Sequence, residues 1–343
     1  MKYLIFVTLF GLLSFAAASV SDLRMLTWAI RLDSKPDSIS VAQTIAGLNS
    51  SIPSDEDLTG SYYNDYKEVA WSTRRIALAN EILFNKVQIF AAQGGLTRQI
   101  SDLSTLLGSD WSYVGVGRDD GVSAGEWQVI FYNTVYITEI DSDHFWLSDT
   151  PSEPSKYSGA GSIRMATRGK FKLVADESAI FTVFSTHMDD VSDAARELGA
   201  SLIRYRAAYE AYNTDAPVFL LGCLNTEPDS SSDDAYEIAT GHSDIVSINA
   251  TFSSTFSSAI KSSFYFLDLA EETDADMRSG HHSTVTGWTE PSDFSYYERT
   301  SFALGGSNGG WIAKRYRVGE NFFDTEYHMS NHRPLYVDVS IGL

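Results

Sequence analysis

The chain is nearly devoid of cysteine, since Cys223 is the single one among 343 residues. A lone cysteine excludes an intramolecular disulfide, so a fold of this size must be held together by its packed core. Basic residues are also scarce: 25 Lys and Arg stand against 45 Asp and Glu, which gives a formal net charge of -20. Such a charge repels a polyphosphate backbone and therefore argues against a nucleic-acid partner.

Long apolar runs are missing from the whole chain after its first residues. No later run approaches the roughly 20 apolar residues that a membrane helix needs, so we expect no membrane association. The basic start, the apolar residues 3–15 and the small residues that follow are typical of a secretory signal. We therefore expect residues 1–19 to be a signal peptide, the protein to be secreted, and the sequons at Asn49 and Asn249 to be glycosylated.

The remaining residues, 20–343, contain no Pro-rich or charged linker and are interpreted as one domain and a monomer. Strand-like apolar runs follow one another with amphipathic helices between them, such as residues 72–84, where Ser72 is placed to cap the helix. A long polar stretch, residues 33–66, indicates a loop. This order predicts an α+β fold, a four-layer α/β/β/α sandwich of two packed mixed sheets with helices outside.

Six segments carry distinctive motifs in a fixed order. Together they resemble the endonuclease/exonuclease/phosphatase superfamily, which has the fold of deoxyribonuclease I, and most closely a secreted, fungal-type branch of it. The similarity runs from Leu23 to Val339. The segments are residues 114–121, 145–151, 185–189, 222–228, 284–288 and 330–334.

The resemblance implies a phosphoesterase site that holds magnesium through carboxylates and an Asn, beside a His that an acid orients. By this resemblance His187 is a catalytic residue and Glu126 is its partner. It also implies catalytic roles for Arg118, Asn225 and His332.

Five positions depart from the superfamily pattern, and each loses a polar or acidic group. Ala29 replaces an Asn, Gly94 a metal-binding Glu, Cys223 an Asp, Ser301 an Asp that orients the last His, and Asn331 another Asp. Without these groups magnesium loses its main anchor, so we expect no metal and no other cofactor. The sequence predicts a pseudoenzyme that keeps the phosphodiesterase scaffold for binding.

The ligand of such a scaffold is not identified by the sequence, and a molecule that contains phosphate or sugar fits the resemblance best. On this alignment Trp28, Trp127 and Trp288 lie near the rim of the cleft, where aromatic rings could contact bases or sugars.

Two alternatives remain open at this point. One is an active magnesium-dependent hydrolase, a nuclease or a phosphatase, whose metal site is rebuilt from Asp119, Asp120, Asp189 or Glu227. The other uses the thiol of Cys223, as described next.

A thiolate and two imidazoles are good zinc ligands, so Cys223, His187 and His332 could together bind zinc. A cysteine beside a histidine could also act as a nucleophilic pair.

Overall fold

The computed structural model describes residues 21–48, 50–51, 67–231, 234–257, 263–290, 292–322 and 327–342. The predicted signal peptide and the predicted glycosylation site Asn49 lie outside these residues. The first sheet has seven strands in the spatial order β10-β12-β13-β1-β2-β4-β3. Its strands are β1 (Ser21–Ala29), β2 (Ile89–Gly95), β3 (Trp111–Val114), β4 (Trp127–Asn133), β10 (Arg278–Gly280), β12 (Trp311–Val318) and β13 (Leu335–Ile341).

The second sheet has six strands in the order β5-β6-β7-β8-β11-β9. Both sheets are mixed, because β1 pairs with β2 in parallel and β7 pairs with β8 in parallel, whereas most other neighbours are antiparallel. The strands of this sheet are β5 (Ile137–Trp146), β6 (Met165–Leu173), β7 (Ile180–His187), β8 (Val218–Cys223), β9 (Phe266–Asp268) and β11 (Ser301–Gly306).

Seven α-helices and a short 3-10 helix, Ala275–Met277, connect the strands in the described residues. The predicted Ser72 cap is wrong: the helix begins at Trp71, its N-cap is Ala70, and the Ser72 hydroxyl donates to Asp37 instead. The first helix lies inside the stretch predicted as a loop. The helices are α1 (Val41–Ala46), α2 (Trp71–Phe84), α3 (Thr97–Leu107), α4 (Asp193–Thr214), α5 (Ala235–Thr240), α6 (Ala250–Thr255) and α7 (Leu269–Glu272).

Three apolar cores separate the layers. The central core lies between the sheets, where Ile89 of β2 and Phe181 of β7 are both fully buried. A second core joins the first sheet to α2 and α3, and a third joins the second sheet to α4, α5 and α6. Alternate residues of each strand therefore face different cores, as the two-residue period of a strand requires. The predicted α+β sandwich of two mixed sheets with helices outside is confirmed.

No helix in the described ranges has both the length and the apolar character needed to cross a membrane.

Arg74 of α2 is a fully buried cation that fixes the carboxyl end of β1. Its guanidinium donates to the carbonyls of Ile30 at 2.8 Å, Met329 at 2.7 Å and Arg31 at 3.3 Å. Burial lowers the pKa of Arg74 to about 10, so the side chain stays charged at neutral pH. One side chain thus joins a helix to the two backbone segments that form the functional site described below.

We expect Arg74→Met to lower the free energy of unfolding by about 3 kcal/mol, because buried carbonyls lose their donors. Urea denaturation measures this effect. The control is Lys172→Met, which removes only an exposed ion pair with Glu177 and should change stability by less than about 1 kcal/mol. Equal losses in the two variants would show that Arg74 does not anchor the strand end.

Candidate functional site

A polar cavity of about 360 Å³ opens at the carboxyl ends of the two parallel strand pairs, β1 with β2 and β7 with β8. Carboxyl ends of parallel strands meet at one edge of a sheet, so residues far apart in sequence come together there. The cavity is lined by Ala29, Arg31, Leu32, Gln93, Gly94, Glu126, Ser162, Arg164, His187, Asp190, Asn225, Asn331 and His332.

Most residues that the sequence singled out lie on this cavity. Those implied as catalytic that line it are Glu126, His187, Asn225 and His332, and the substituted positions that line it are Ala29, Gly94 and Asn331. The other three lie outside the lining: Arg118, Cys223 and Ser301. Cys223 and Ser301 face each other across the β8–β11 ladder.

Glu126 pairs with Arg118 and not with His187. Its carboxylate lies 3.0 Å from the Arg118 guanidinium, and both side chains are largely buried. Within the described residues, the Nδ1 atom of His187 has no hydrogen-bond partner. The implied orientation of His187 by Glu126 is therefore not observed. A charge-assisted contact to Arg118 is stronger than a bond to a neutral imidazole, and this difference explains the choice of partner.

Asp190 is the second carboxylate on the cavity, and it also pairs with an arginine. The Arg164 guanidinium contacts Asp190 at 2.6 Å and Asp189 at 3.4 Å. Asp190 follows Asp189, one of the acids considered for a magnesium site, whereas Arg164 was not predicted from the sequence. A signal existed for Arg164, because it is an isolated cation between a Gly-Ser turn and a strand in a strongly acidic chain.

The four acids considered for a rebuilt magnesium site lie outside the cavity and contact other groups. Asp189 is buried and accepts backbone N–H bonds, including those of Gly161 and Ser192, which lower its pKa despite the opposing effect of burial. Asp120 accepts three amides of its own turn. Glu227 accepts the Arg299 amide at 3.3 Å, and neither Asp119 nor any other of these four acids lines the cavity.

His187 and His332 face each other across the cavity, with ring centroids 6.3 Å apart and planes at 79°. Burial, and then the charge of Arg31, lowers the pKa of His332 to about 4. Burial also lowers the pKa of His187 well below its usual value, and Arg164, His332 and Arg118 add to this effect. Both imidazoles are therefore neutral at pH 7.

Asn225 is held in place by both ends of its amide. Its nitrogen donates to the Met188 carbonyl at 2.9 Å, and its oxygen accepts from the Cys223 thiol at 3.2 Å. Burial raises the pKa of Cys223, so the thiol is protonated at neutral pH and is a poor nucleophile. The amide oxygen, which the resemblance implies would face a metal, therefore already accepts a hydrogen bond from the thiol.

The side chains present do not fit a magnesium ion. Positions 29 and 94 offer no oxygen, and the two carboxylates of the cavity are both paired with arginine. Among the described residues, no group of three or more His, Cys, Asp and Glu could hold a metal. Cys223, His187 and His332, which all belong to that part of the chain, therefore do not form the zinc site considered above.

The tryptophans expected at the rim do not line the cavity. Trp28 is fully buried, and its Nε1 donates to the His332 carbonyl at 2.8 Å, so it helps to fix the backbone of this histidine. Trp127 donates to Thr97 at 3.1 Å, and Trp288 packs near Arg74. The placement of these rings near the rim is not observed, and their contacts are those of packed side chains.

Asn249 lies at the N-cap of α6 and away from this cavity. Its oxygen accepts from the Phe252 amide at 3.0 Å, and its nitrogen donates to the Asp149 carbonyl at 2.9 Å. Its glycosylation remains a prediction.

Three residues of the cavity have left-handed backbone conformations. They are Gly94 with φ of 77°, Arg31 with φ of 61° and Asn225 with φ of 53°. Such φ values are uncommon for residues other than glycine, and they concentrate at functional sites. Gly94 also lies in the register shift between β2 and β4.

We expect Gly94→Ala to lower the free energy of unfolding by about 1–2 kcal/mol, because a side chain is strained at this positive φ. A Cβ atom there would lie 3.4 Å from Glu126 and 3.8 Å from His187, which is ordinary contact, so the cost comes from the backbone. Urea denaturation tests this. Gly47→Ala, at a φ of -88°, is the control and should have little effect.

The buried histidines predict a pH dependence of stability. Below about pH 6.5 the unfolded chain binds protons that folded His187 and His332 do not bind, so the free energy of unfolding should fall from there toward pH 4. The lowered pKa of His332 alone corresponds to a loss of about 3 kcal/mol in the free energy of unfolding by the pH at which this residue is fully protonated. The measurement is urea denaturation across this pH range.

The double variant His187→Gln, His332→Gln should flatten this dependence. His281→Gln, which alters an exposed histidine paired with Glu320, should leave it unchanged. If the double variant kept the pH dependence of the parent protein, these two histidines would not be its cause.

No protein-family model matches the sequence, and no curated protein matches it. Solved structures do match. An endonuclease/exonuclease/phosphatase from Bacteroides vulgatus has a TM-score of 0.70 and 23% identity, over 94% of this chain and 99% of that one. A mannosyl-6-phosphatase from Bacteroides thetaiotaomicron has a TM-score of 0.68 and 22% identity, over 92% and 99%.

The human Nocturnin catalytic domain, with a bound sulfate anion, has a TM-score of 0.58 and 11% identity, over 93% of this chain and 94% of that domain. Identities this low establish the architecture and leave the chemistry open. The chain therefore has the fold of the endonuclease/exonuclease/phosphatase proteins.

Proposed function

We propose that this chain is a secreted member of the endonuclease/exonuclease/phosphatase superfamily that binds a phosphate-bearing ligand in the cavity without the metal-dependent hydrolysis of the superfamily. One observation carries the proposal. Glu126 and Asp190, the two carboxylates on the cavity, are each paired with an arginine, at 3.0 Å and 2.6 Å.

Hydrolysis by the superfamily mechanism needs oxygen ligands that are free to hold a divalent cation. Releasing Glu126 and Asp190 for that purpose would leave Arg118 with Asp119 alone, at 3.6 Å, and Arg164 with Asp189 alone, at 3.4 Å. Breaking the shorter contact of each largely buried arginine costs free energy. The arrangement therefore disfavours a divalent cation in the cavity.

The remaining polar groups of the cavity suit an oxyanion. Arg31 and Arg164 supply guanidinium donors, whose planar arrangement matches phosphate geometry. Asn331 and Ser162 can donate further hydrogen bonds. The two neutral imidazoles can each donate through one nitrogen and accept through the other. Together these groups can bind and orient a phosphate without a metal.

The lining also favours a hydroxyl-rich ligand over a nucleotide. Among the residues that the structure describes, no aromatic ring apart from the two imidazoles lines the cavity, so this part of the lining offers no surface on which a base could stack. The polar donors and acceptors instead match sugar hydroxyls. One structural neighbour is a mannosyl-6-phosphatase, and another carries a bound sulfate. The name of the first neighbour and the sulfate bound to the second are both consistent with a sugar phosphate as the ligand class.

Calorimetric titration with mannose 6-phosphate in the presence of EDTA tests the proposal. We expect binding that does not need a metal, and binding roughly tenfold to hundredfold weaker in Arg31→Asn and Arg164→Gln, because each loses a charge-assisted hydrogen bond. Asn is chosen at position 31 because it tolerates the left-handed backbone there.

Lys172→Ala, which alters an exposed cation outside the cavity, is the matched control and should bind normally. Mannose without phosphate should bind much more weakly. If neither cavity variant changes the affinity, the ligand is not held by these arginines.

A hydrolysis assay separates this proposal from the active-enzyme alternative. We expect no metal-dependent release of p-nitrophenol from bis-p-nitrophenyl phosphate with magnesium or manganese. Release of p-nitrophenol that is lost in His187→Ala would contradict the pseudoenzyme proposal and support the active-hydrolase alternative.

A further inference from the structure

A second basic site lies on the outer face of the first sheet. It is a groove of about 220 Å³ on strands β10, β12, β13 and β1. Arg24 lies on the outer face of β1 because it alternates with Leu23 and Met25, which belong to the core between the sheets. Ala29 lines the cavity described above and lies five positions further along β1, so Arg24 and Ala29 are on opposite faces of the strand. The groove and the cavity are therefore separate sites.

One side of the groove is already ordered by internal contacts. Arg24 and Asp338 form a bidentate pair, with bonds of 2.6 and 2.7 Å, and Arg24 also donates to the Asn85 carbonyl at 2.8 Å. The Tyr336 hydroxyl donates to Glu81 at 2.8 Å. Asp338, the carboxylate that lines the groove, is therefore neutralised and cannot pair fully with another cation.

The other side carries two exposed arginines, Arg315 and Arg317, on β12. Within the described ranges neither forms an ion pair with a carboxylate, although the chain has 45 acidic residues and 25 basic ones. Residues two apart on a strand point to the same face and lie about 7 Å apart. Both guanidinium groups can thus reach one small anion between them.

Strand register adds a hydroxyl to this pair. Ser279 of β10 is the direct neighbour of Arg317, and Arg315 is the direct neighbour of Asp338, which lies beside Arg24. Donors on β10 and β12 therefore lie beside the Arg24–Asp338 pair of β1 and β13. The small volume of the groove excludes a long polymer from its interior, and the net charge of -20 opposes the approach of an extended polyanion.

We propose that this groove binds a tetrahedral oxyanion, phosphate or sulfate, either free or as the terminal group of a small molecule. Arg315 and Arg317 hold the anion, and Ser279 donates to it. The Arg24–Asp338 pair forms the opposite wall. This site goes beyond the proposed function, since it shares no residue with the cavity.

The test measures phosphate binding in a background where the cavity is disabled, the Arg31→Asn, Arg164→Gln variant. Inorganic phosphate titrated by calorimetry should still bind there, and sulfate should compete with it. Adding Arg315→Gln and Arg317→Gln should weaken this binding at least tenfold. Adding Lys172→Gln instead is the matched control and should not change it.

Several outcomes overturn the proposal. No phosphate binding in the cavity-disabled background would refute it, and so would binding that the Arg315→Gln, Arg317→Gln pair leaves unchanged. Concentration-dependent self-association in sedimentation, lost in that pair and insensitive to phosphate, would assign the arginines to contact with an acidic second copy.

Circular dichroism of each variant checks that the exposed substitutions leave the fold intact. Failure of the cavity proposal gives a different result from failure of this one. If only the cavity proposal fails, mannose 6-phosphate binding does not respond to the substitutions of Arg31 and Arg164, but substitution of Arg315 and Arg317 still weakens phosphate binding.

Discussion

The pairing of the two cavity carboxylates with arginines determines what this scaffold can do. Glu126 and Arg118 form one pair, and Asp190 and Arg164 form the other. A divalent cation and a guanidinium compete for the same carboxylate oxygens, and Arg118 and Arg164 are both largely buried, so displacing either from its carboxylate carries a penalty. On the function proposed above, the cavity binds an anion and not a cation.

The backbone around this cavity is fixed by contacts from outside it. Arg74 ties the end of β1 to the loop before β13, and the Trp28 indole donates to the His332 carbonyl. Gly94 occupies a left-handed position where a larger residue would be strained. A glutamate at this position, where the resemblance implies one, would therefore add backbone strain as well as charge.

The sequence predicted the architecture because alternating strand patterns and ordered motifs constrain where each strand ends. The same reasoning brought together residues as distant as Ala29, Gly94, His187 and His332. It could not predict side-chain partners at those ends. The resemblance implied His187 as the partner of Glu126, whereas its partner in the structure is Arg118, because the choice depends on which group approaches in three dimensions.

Arg164 was missed for a related reason. It belongs to no motif, and its pairing follows from the position of Asp190, 26 residues further along the chain. The tryptophans were placed near the rim by alignment alone, and Trp28 and Trp127 are buried. The left-handed Arg31 and Asn225 were also not predictable, because local sequence does not demand that conformation.

The most direct test of the exchange of a metal site for an anion site is a titration of the protein with Mn²⁺ monitored by electron paramagnetic resonance. We expect no stoichiometric binding at millimolar Mn²⁺, because both carboxylates that line the described part of the cavity are paired with an arginine. Stoichiometric binding that is lost in Glu126→Gln or Asp190→Asn would show that the acids still hold a metal and would contradict the central claim.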